Sequence, residues 1–231
     1  MKLVLFDIDG TLLLIPGAGR KAFSRAFQTV YGVDDDLAQI QFAGATDFDV
    51  LDRLIVSHGL TDTAVQRKKF MELLPTELTA AAQTVIPQVY PGVREILSEL
   101  HAQPETFALG LVTGNIESCA RIKLLHAGLS EFFVQNDFAG GFGCDHAHRS
   151  EIAATALRRL CVRYPHGFSQ VYLVGDTPSD IEAAHAIGAR SVAVATGGKY
   201  SFADLQMREP HCCVSTLEDT RQVLNFLEAT P

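Results

Sequence analysis

Four short apolar runs, each breaking off at polar residues or glycine, constrain the fold of this chain more than any other feature. Residues 3–6, 107–112, 171–174 and 191–194 are four to six residues long and built mainly from Val, Leu, Ala and aromatic side chains. They lack the polar alternation of a half-exposed strand, so they suit strands buried on both faces. Between them run segments of helical period. One starts near Pro91, one is capped by Asn115 and runs to Gly128, and one starts at Ser150 with Ile152, Ala153, Ala156, Leu157 and Leu160 inward. Another spans 178–187, and Ser215 with Glu218 gives a capping box for a last helix through Leu217, Val223, Leu224 and Leu227. A further short strand is expected around 132–134, and the glycines of 140–143 read as a flexible connection. Strand and helix alternating in this way predict an α/β fold, a doubly wound parallel sheet with helices on both faces.

The stretch between the first two strands is different, because it holds no strand pattern. Ala22, Phe23, Ala26, Phe27 and Val30 form an apolar stripe closed by Gly32. Thr46 can cap a second helix, with Asp49 three residues on, and Gly59 ends it. Residues 62–85 give one or two further helices, with an interruption near Pro75. The expected organisation is a core of residues 1–15 and 90–231 with an inserted helical cap of residues 16–89.

Bulk properties narrow the partners. At 231 residues, 47% hydrophobic and 20% charged, the chain can bury a full core. Its net charge of −8 argues against nucleic acid, which needs a basic face. No segment approaches the ~20 apolar residues of a membrane span. The five cysteines are odd in number, scattered and without a C-x-x-C pair, which suits reduced thiols in the cytoplasm. A monomer or weak homodimer is expected.

The first apolar run ends in Asp7-Ile8-Asp9-Gly10-Thr11. Two acids at a buried strand end are costly unless something compensates them, and a divalent cation such as Mg²⁺ suits carboxylate oxygens. The second run ends in Thr113-Gly114-Asn115, a hydroxyl and a helix start that can offer donors to an anion. The third ends in Gly175-Asp176-Thr177-Pro178-Ser179-Asp180. Asp180 is explained by helix-start chemistry alone, whereas Asp176 directly follows buried strand and is not. In sheets of this kind ligands sit outside the carboxyl ends of the strands, which is where all these segments fall.

Together the D-x-D-G-T segment, Thr113, the G-D-x-x-x-D segment and the helical insertion resemble the haloacid dehalogenase superfamily, in particular its phosphoglycolate phosphatase-like branch. The resemblance covers the whole chain. It implies strand order 5-4-1-2-3, Asp7 as nucleophile and Asp9 as general acid and base. It implies that Thr113 binds the transferring phosphoryl group. Mg²⁺ would be held by Asp7, the main-chain carbonyl of Asp9 and Asp176, with Asp180 a ligand or its support. Gly10, Thr11, Gly114 and Asn115 are then candidates for substrate contact, as are Thr46, Asp47 and Arg20 from the cap. Many relatives carry Lys-Pro ahead of the helix before the fourth strand. This chain has His148-Arg149-Ser150 there, which makes Arg149 the candidate phosphate-binding cation and Lys123 the runner-up.

The expected activity is Mg²⁺-dependent hydrolysis of a small phosphorylated metabolite. Competing readings are a sugar-phosphate mutase, a dehalogenase, a phosphonate hydrolase using a cap lysine such as Lys21, and a non-catalytic phosphate-binding module. Cys144, His146 and His148 are a weak zinc pattern, better read as a polar loop.

Overall fold

The computed structural model describes residues 1–229. The chain begins with β1 (Lys2–Phe6) and a short β2 (Leu13–Leu14), then enters three helices, α1 (Ala18–Tyr31), α2 (Asp47–Ser57) and α3 (Ala64–Ala82). It returns through β3 (Gln88–Val89) and continues as α4 (Val93–His101), β4 (Phe107–Val112), α5 (Glu117–His126), α6 (Glu131–Val134) and β5 (Gly140–Gly141). The last part is α7 (Arg149–Arg163), β6 (Gln170–Gly175), α8 (Pro178–Ala186), β7 (Arg190–Val194), α9 (Phe202–Gln206), β8 (Cys212–Val214) and α10 (Thr220–Glu228).

Six strands form one parallel sheet in the order β5-β4-β1-β6-β7-β8. The side-chain period of two sends alternate residues of β1 to opposite faces. Leu3 and Leu5 pack with Ile152, Ala156 and Leu160 of α7 and with Ala183 and Ala184 of α8. Val4 and Phe6 join the larger cluster with α4, α5 and α10. Both faces are thus covered, which is why the strands read as continuous apolar runs. β1 lies between β4 and β6, so the chain reverses direction across the sheet there and a crevice opens at the carboxyl end of β1.

The three inserted helices form the cap. Phe23 and Phe27 of α1 meet Phe70 of α3 and Tyr31 respectively, with Phe23 and Phe70 ring centroids 5.3 Å apart. The two passages between cap and core are paired, Leu13 with Val89 and Leu14 with Gln88, as a small antiparallel ribbon.

The order implied by the resemblance holds with two changes. Residues 132–134 are helical rather than extended: they lie in α6, whose turn is closed by the N–H groups of Phe133 and Val134 donating to the Ser130 carbonyl at 3.1 and 3.0 Å. The edge strand is instead Gly140–Gly141, where a flexible connection was expected. A side chain at Gly141 would run into the carbonyl of Ile152, so this strand fits only as glycine and carries no apolar pattern. β8 adds a sixth strand that the sequence did not suggest.

Three local expectations also change. α3 runs unbroken through Pro75, since Phe70, Leu74, Leu78 and Ala81 on one buried face outweigh the single bond that proline forfeits. Asn115 does not cap α5; Ile116 takes that place, and its N–H donates to Asp47 of the cap at 2.7 Å. The last helix is capped by Asp219, which accepts from Gln222 N–H at 3.0 Å, not by Ser215.

Candidate active site

The site is built where β1, β4, β6 and β7 end. Gly10, at φ 88°, turns the chain back after Asp9. Asp7 is held against β6 by its own N–H, which donates to the Val174 carbonyl at 2.9 Å. Asp176 directly follows β6 and accepts from the Thr11 hydroxyl at 3.1 Å. Asp180, three residues past Thr177, closes a capping box at the start of α8, with Thr177 Oγ1 donating to its Oδ2 at 2.7 Å. Carboxylate oxygens of Asp7, Asp176 and Asp180 all lie within 4.8 Å of one another, and all three residues are buried.

Arg149 stands at the first turn of α7 and reaches this cluster. Its Nη2 lies 2.6 Å from Asp7 Oδ1 and 2.7 Å from Asp180 Oδ1, and its Nε donates to the same Asp180 oxygen at 2.9 Å. A second cation serves the other acid. Lys123 Nζ donates to both oxygens of Asp9 at 2.8 and 2.7 Å and to Asn115 Oδ1 at 2.6 Å. Asn115 Nδ2 in turn donates to Asp9 Oδ2 at 2.6 Å and to Thr113 Oγ1 at 2.7 Å. The Asp9 side chain is 40% exposed against 8% for Asp7, so Asp9 alone of the acid pair has open access to solvent.

Electrostatics follow from burial. Loss of solvent raises the Asp7 carboxyl well above its ordinary value, although the Arg149 charge opposes the rise. Asp176 is raised for the same reason, reinforced by the charges of Asp7 and Asp180. Burial works against the charge on Lys123, but Asp9 and Asp47 outweigh it and hold its pKa above the usual lysine value. Asp47 is pushed up to about 6 by burial, against the pull of Lys123.

Three converging carboxylates share the single charge of Arg149, and of them Asp7 and Asp176 have raised proton affinity. An oxygen-seeking divalent cation supplies what this donor set is missing. The space beside Asp176 is kept open by glycine on both sides: a Cβ at Gly10 or at Gly197 would collide with the Asp176 carboxylate. Gly197→Ala is therefore expected to displace Asp176 and to weaken divalent-cation binding at least about tenfold, as supporting-shell changes commonly do. Titration calorimetry with Mg²⁺ and with Mn²⁺ would measure it, and unchanged affinity would remove Gly197 from the site.

These residues line one cavity of about 300 Å³ between core and cap. Its floor includes Asp7, Asp9, Gly10, Thr113, Asn115 and Asp176, with Gly114, Lys123 and Arg149 beside them. From the cap come Arg20, Asp47 and the loop at residues 42–45. Thr11, Thr46 and Asp180 are not in the wall. Thr11 supports Asp176, Thr46 caps α2 by accepting from Asp49 N–H at 3.1 Å, and Asp180 stands behind Arg149. The structure adds Thr196 and Gly197, at the end of β7, to the residues named from sequence. Thr196 Oγ1 donates to the Gly10 carbonyl at 2.6 Å and so fixes the turn. Their signal was a Thr-Gly step after an apolar strand, the same pattern as Thr113-Gly114.

Residues 4–194 match the family described as haloacid dehalogenase-like hydrolase. The chain belongs to this family. Among curated relatives, it is 28% identical over 214 residues to the phosphoglycolate phosphatase of Vibrio vulnificus, covering 85% of each chain. Among solved structures, a hydrolase from Pseudomonas syringae matches with TM-score 0.70 at 18% identity, over 99% of both chains. CbbY from Rhodobacter sphaeroides, solved in complex with phosphate, matches with TM-score 0.68 at 18% identity, over 94% of this chain and 95% of the other.

Proposed function

We propose that this haloacid dehalogenase-like hydrolase is a Mg²⁺-dependent phosphatase of a small phosphorylated metabolite, working through an aspartyl-phosphate on Asp7. The observation that carries this reading is the convergence of buried Asp7, Asp176 and Asp180 on one point, with Arg149 bridging two of them at the cavity floor. A phosphoryl dianion brought up to Asp7 would be repelled without compensation, so positioning and charge dominate the chemistry.

Asp7 attacks phosphorus, forming the Asp7 oxygen–phosphorus bond as the bond to the leaving alkoxide breaks. Asp9 gives that alkoxide a proton, then takes one from the water that attacks the aspartyl-phosphate and frees inorganic phosphate. Lys123 and Asn115 hold the Asp9 carboxylate in place for both transfers. Thr113 and Arg149 supply donors to the phosphoryl oxygens. When bound, the cation would rest on Asp7 and Asp176, with Asp180 in support, and offset the charge of the phosphoryl group.

The cap covers the cavity and leaves room for a small ester rather than a macromolecule. Phosphoglycolate, the substrate named for the curated relatives, is the first compound to test. Lys21 is exposed, which disfavours phosphonate hydrolysis through a cap lysine. The paired passages at Leu13–Leu14 and Gln88–Val89 support division into core and cap near residues 15 and 90. No helix among the described residues is long and apolar enough to cross a membrane, and all five cysteines are free, which supports a cytoplasmic location.

Release of p-nitrophenol from its phosphate ester should require Mg²⁺ and stop on chelation. Absence of turnover at any metal concentration would overturn the reading. Mg²⁺ at about a hundred times its Kd should also stabilise the fold by ~2.7 kcal/mol through linkage. Asp176→Asn should abolish that rise in Tm, and a rise that persists would move the ion elsewhere.

A further inference from the structure

The acid–base end of the site depends on Asn115. Its amide nitrogen donates to Asp9 Oδ2 at 2.6 Å and to Thr113 Oγ1 at 2.7 Å, and its Oδ1 accepts from Lys123 at 2.6 Å. A short side chain keeps that geometry only while its own main chain is held. Three hydrogen bonds from elsewhere in the chain hold it, and Asp47 makes two of them. Asp47 N–H donates to the Gly114 carbonyl at 2.8 Å, and Asp47 Oδ2 accepts from Ile116 N–H at 2.7 Å. Gly143 N–H supplies the third, to the Asn115 carbonyl at 2.8 Å. One acidic residue thus grips the peptide groups on both sides of Asn115.

The two segments approach as closely as their backbones allow. A Cβ on Gly114 would lie 2.2 Å from the Ala45 carbonyl oxygen, so only glycine admits the chain at this point. Asp47 is 8% exposed, and a buried carboxylate is costly unless it is paired. The bond from Ile116 N–H and the nearby charge of Lys123 compensate it. Asp47 lines the cavity, yet a carboxylate is a poor contact for an anionic ester, because like charges repel. Its bonds go to the main chain around Asn115 instead.

We propose that Asp47 is a positioning residue for proton transfer: it fixes Asn115, and through Asn115 the Asp9 carboxylate, without touching the substrate. This rests on the phosphatase reading and adds a residue to it. Asp9 must face the leaving oxygen at the moment the bond to phosphorus breaks, and small misplacements of an acid are expensive in rate. Lys123 holds Asp9 from one side and Asn115 from the other. Asp47 supplies the fixed frame on which the Asn115 half of that grip depends.

The test compares kcat/KM for phenyl phosphate and p-nitrophenyl phosphate in the wild type, Asp47→Ala and Asp47→Asn. The esters are similar in size, but phenolate is the more basic leaving group and takes a proton from Asp9, whereas p-nitrophenolate leaves unprotonated. kcat/KM covers the steps up to phosphorylation of Asp7, so the ratio of the two esters isolates proton donation. Asp47→Ala should lower the phenyl-to-nitrophenyl ratio at least about tenfold, part of the ~10²–10⁴-fold that a positioned acid supplies. Asp47→Asn keeps a side-chain oxygen for Ile116 N–H and should recover most of that loss. A ratio cancels any loss of folded enzyme, so poor stability of a variant cannot imitate the effect. An unchanged ratio in Asp47→Ala overturns this inference alone, and a rise in KM for both esters would then make Asp47 a substrate contact. Asp47→Asn as impaired as Asp47→Ala overturns it as well, since charge rather than the bond to Ile116 would be what matters. Absence of wild-type turnover with both esters overturns the phosphatase reading and this one together.

Discussion

Asp7→Asn is expected to abolish turnover, lowering kcat by ~10⁴ as when one member of a covalent catalytic unit is removed. The amide keeps the size of the carboxyl group and leaves Arg149 paired with Asp180, so the protein should still fold. What it loses is the nucleophile. Acid quenching of the wild-type enzyme during turnover of a ³²P-labelled ester should leave label on the protein, and Asp7→Asn should leave none. Activity above about a tenth of wild type would exclude Asp7 as nucleophile, because even acid–base assistance contributes ~10²-fold.

Arg149→Ala should have the largest effect on the fold itself. Two buried carboxylates, Asp7 and Asp180, share this one guanidinium at 2.6 and 2.7 Å. Removing it leaves both uncompensated, at a cost of about 3–5 kcal/mol for a broken buried pair, readable by urea denaturation without metal. Adding Asp180→Asn should restore part of that stability, since it removes one of the stranded charges. Turnover per folded molecule should fall by ~10²–10³, the usual loss for a phosphoryl or oxyanion donor. Arg149→Lys should recover only a fraction, because an ammonium cannot bridge two acids through a planar fork. Lys123→Ala should instead leave Asp9 held by Asn115 alone and slow the proton transfers. If Lys123→Ala loses phosphate affinity while Arg149→Ala keeps it, the two cations have the opposite roles.

Much of the sheet could be read from the chain because its strands are buried on both faces and alternate with helices, which leaves a strong apolar pattern at β1, β4, β6 and β7. The edges could not. Gly140–Gly141 is a strand for steric reasons that leave no hydrophobic trace, and Cys212–Val214 is too short and too exposed to stand out. Pro75 misled because burial at four turns of α3 overrules a local preference. The acids of the site were legible for a related reason: charge at the end of a buried strand has no structural excuse. The wiring between them was not. Asn115 looked like a helix cap, yet it joins Thr113, Asp9 and Lys123, while the N–H of Ile116 at the start of α5 donates to Asp47, 69 residues earlier in the chain. The contacts to Asp9 and to Asp47 join residues far apart in the chain, the latter across core and cap, and no local pattern records that.

The ribbon formed by β2 and β3 limits how the cap can move. Two separate linkers would let an inserted domain tilt, slide and twist. Here outgoing and returning strands are bonded side by side, and Tyr90 N–H adds a further bond to the Leu12 carbonyl at 3.1 Å. A two-stranded strip bends readily across its thin dimension and resists shear within its plane. The ribbon thus ties the cap to the core at both of its passages, beside the carboxyl end of β1. The strip roots immediately after Asp9 and Gly10, so the same few residues that place the Asp9 carboxylate also anchor the strip.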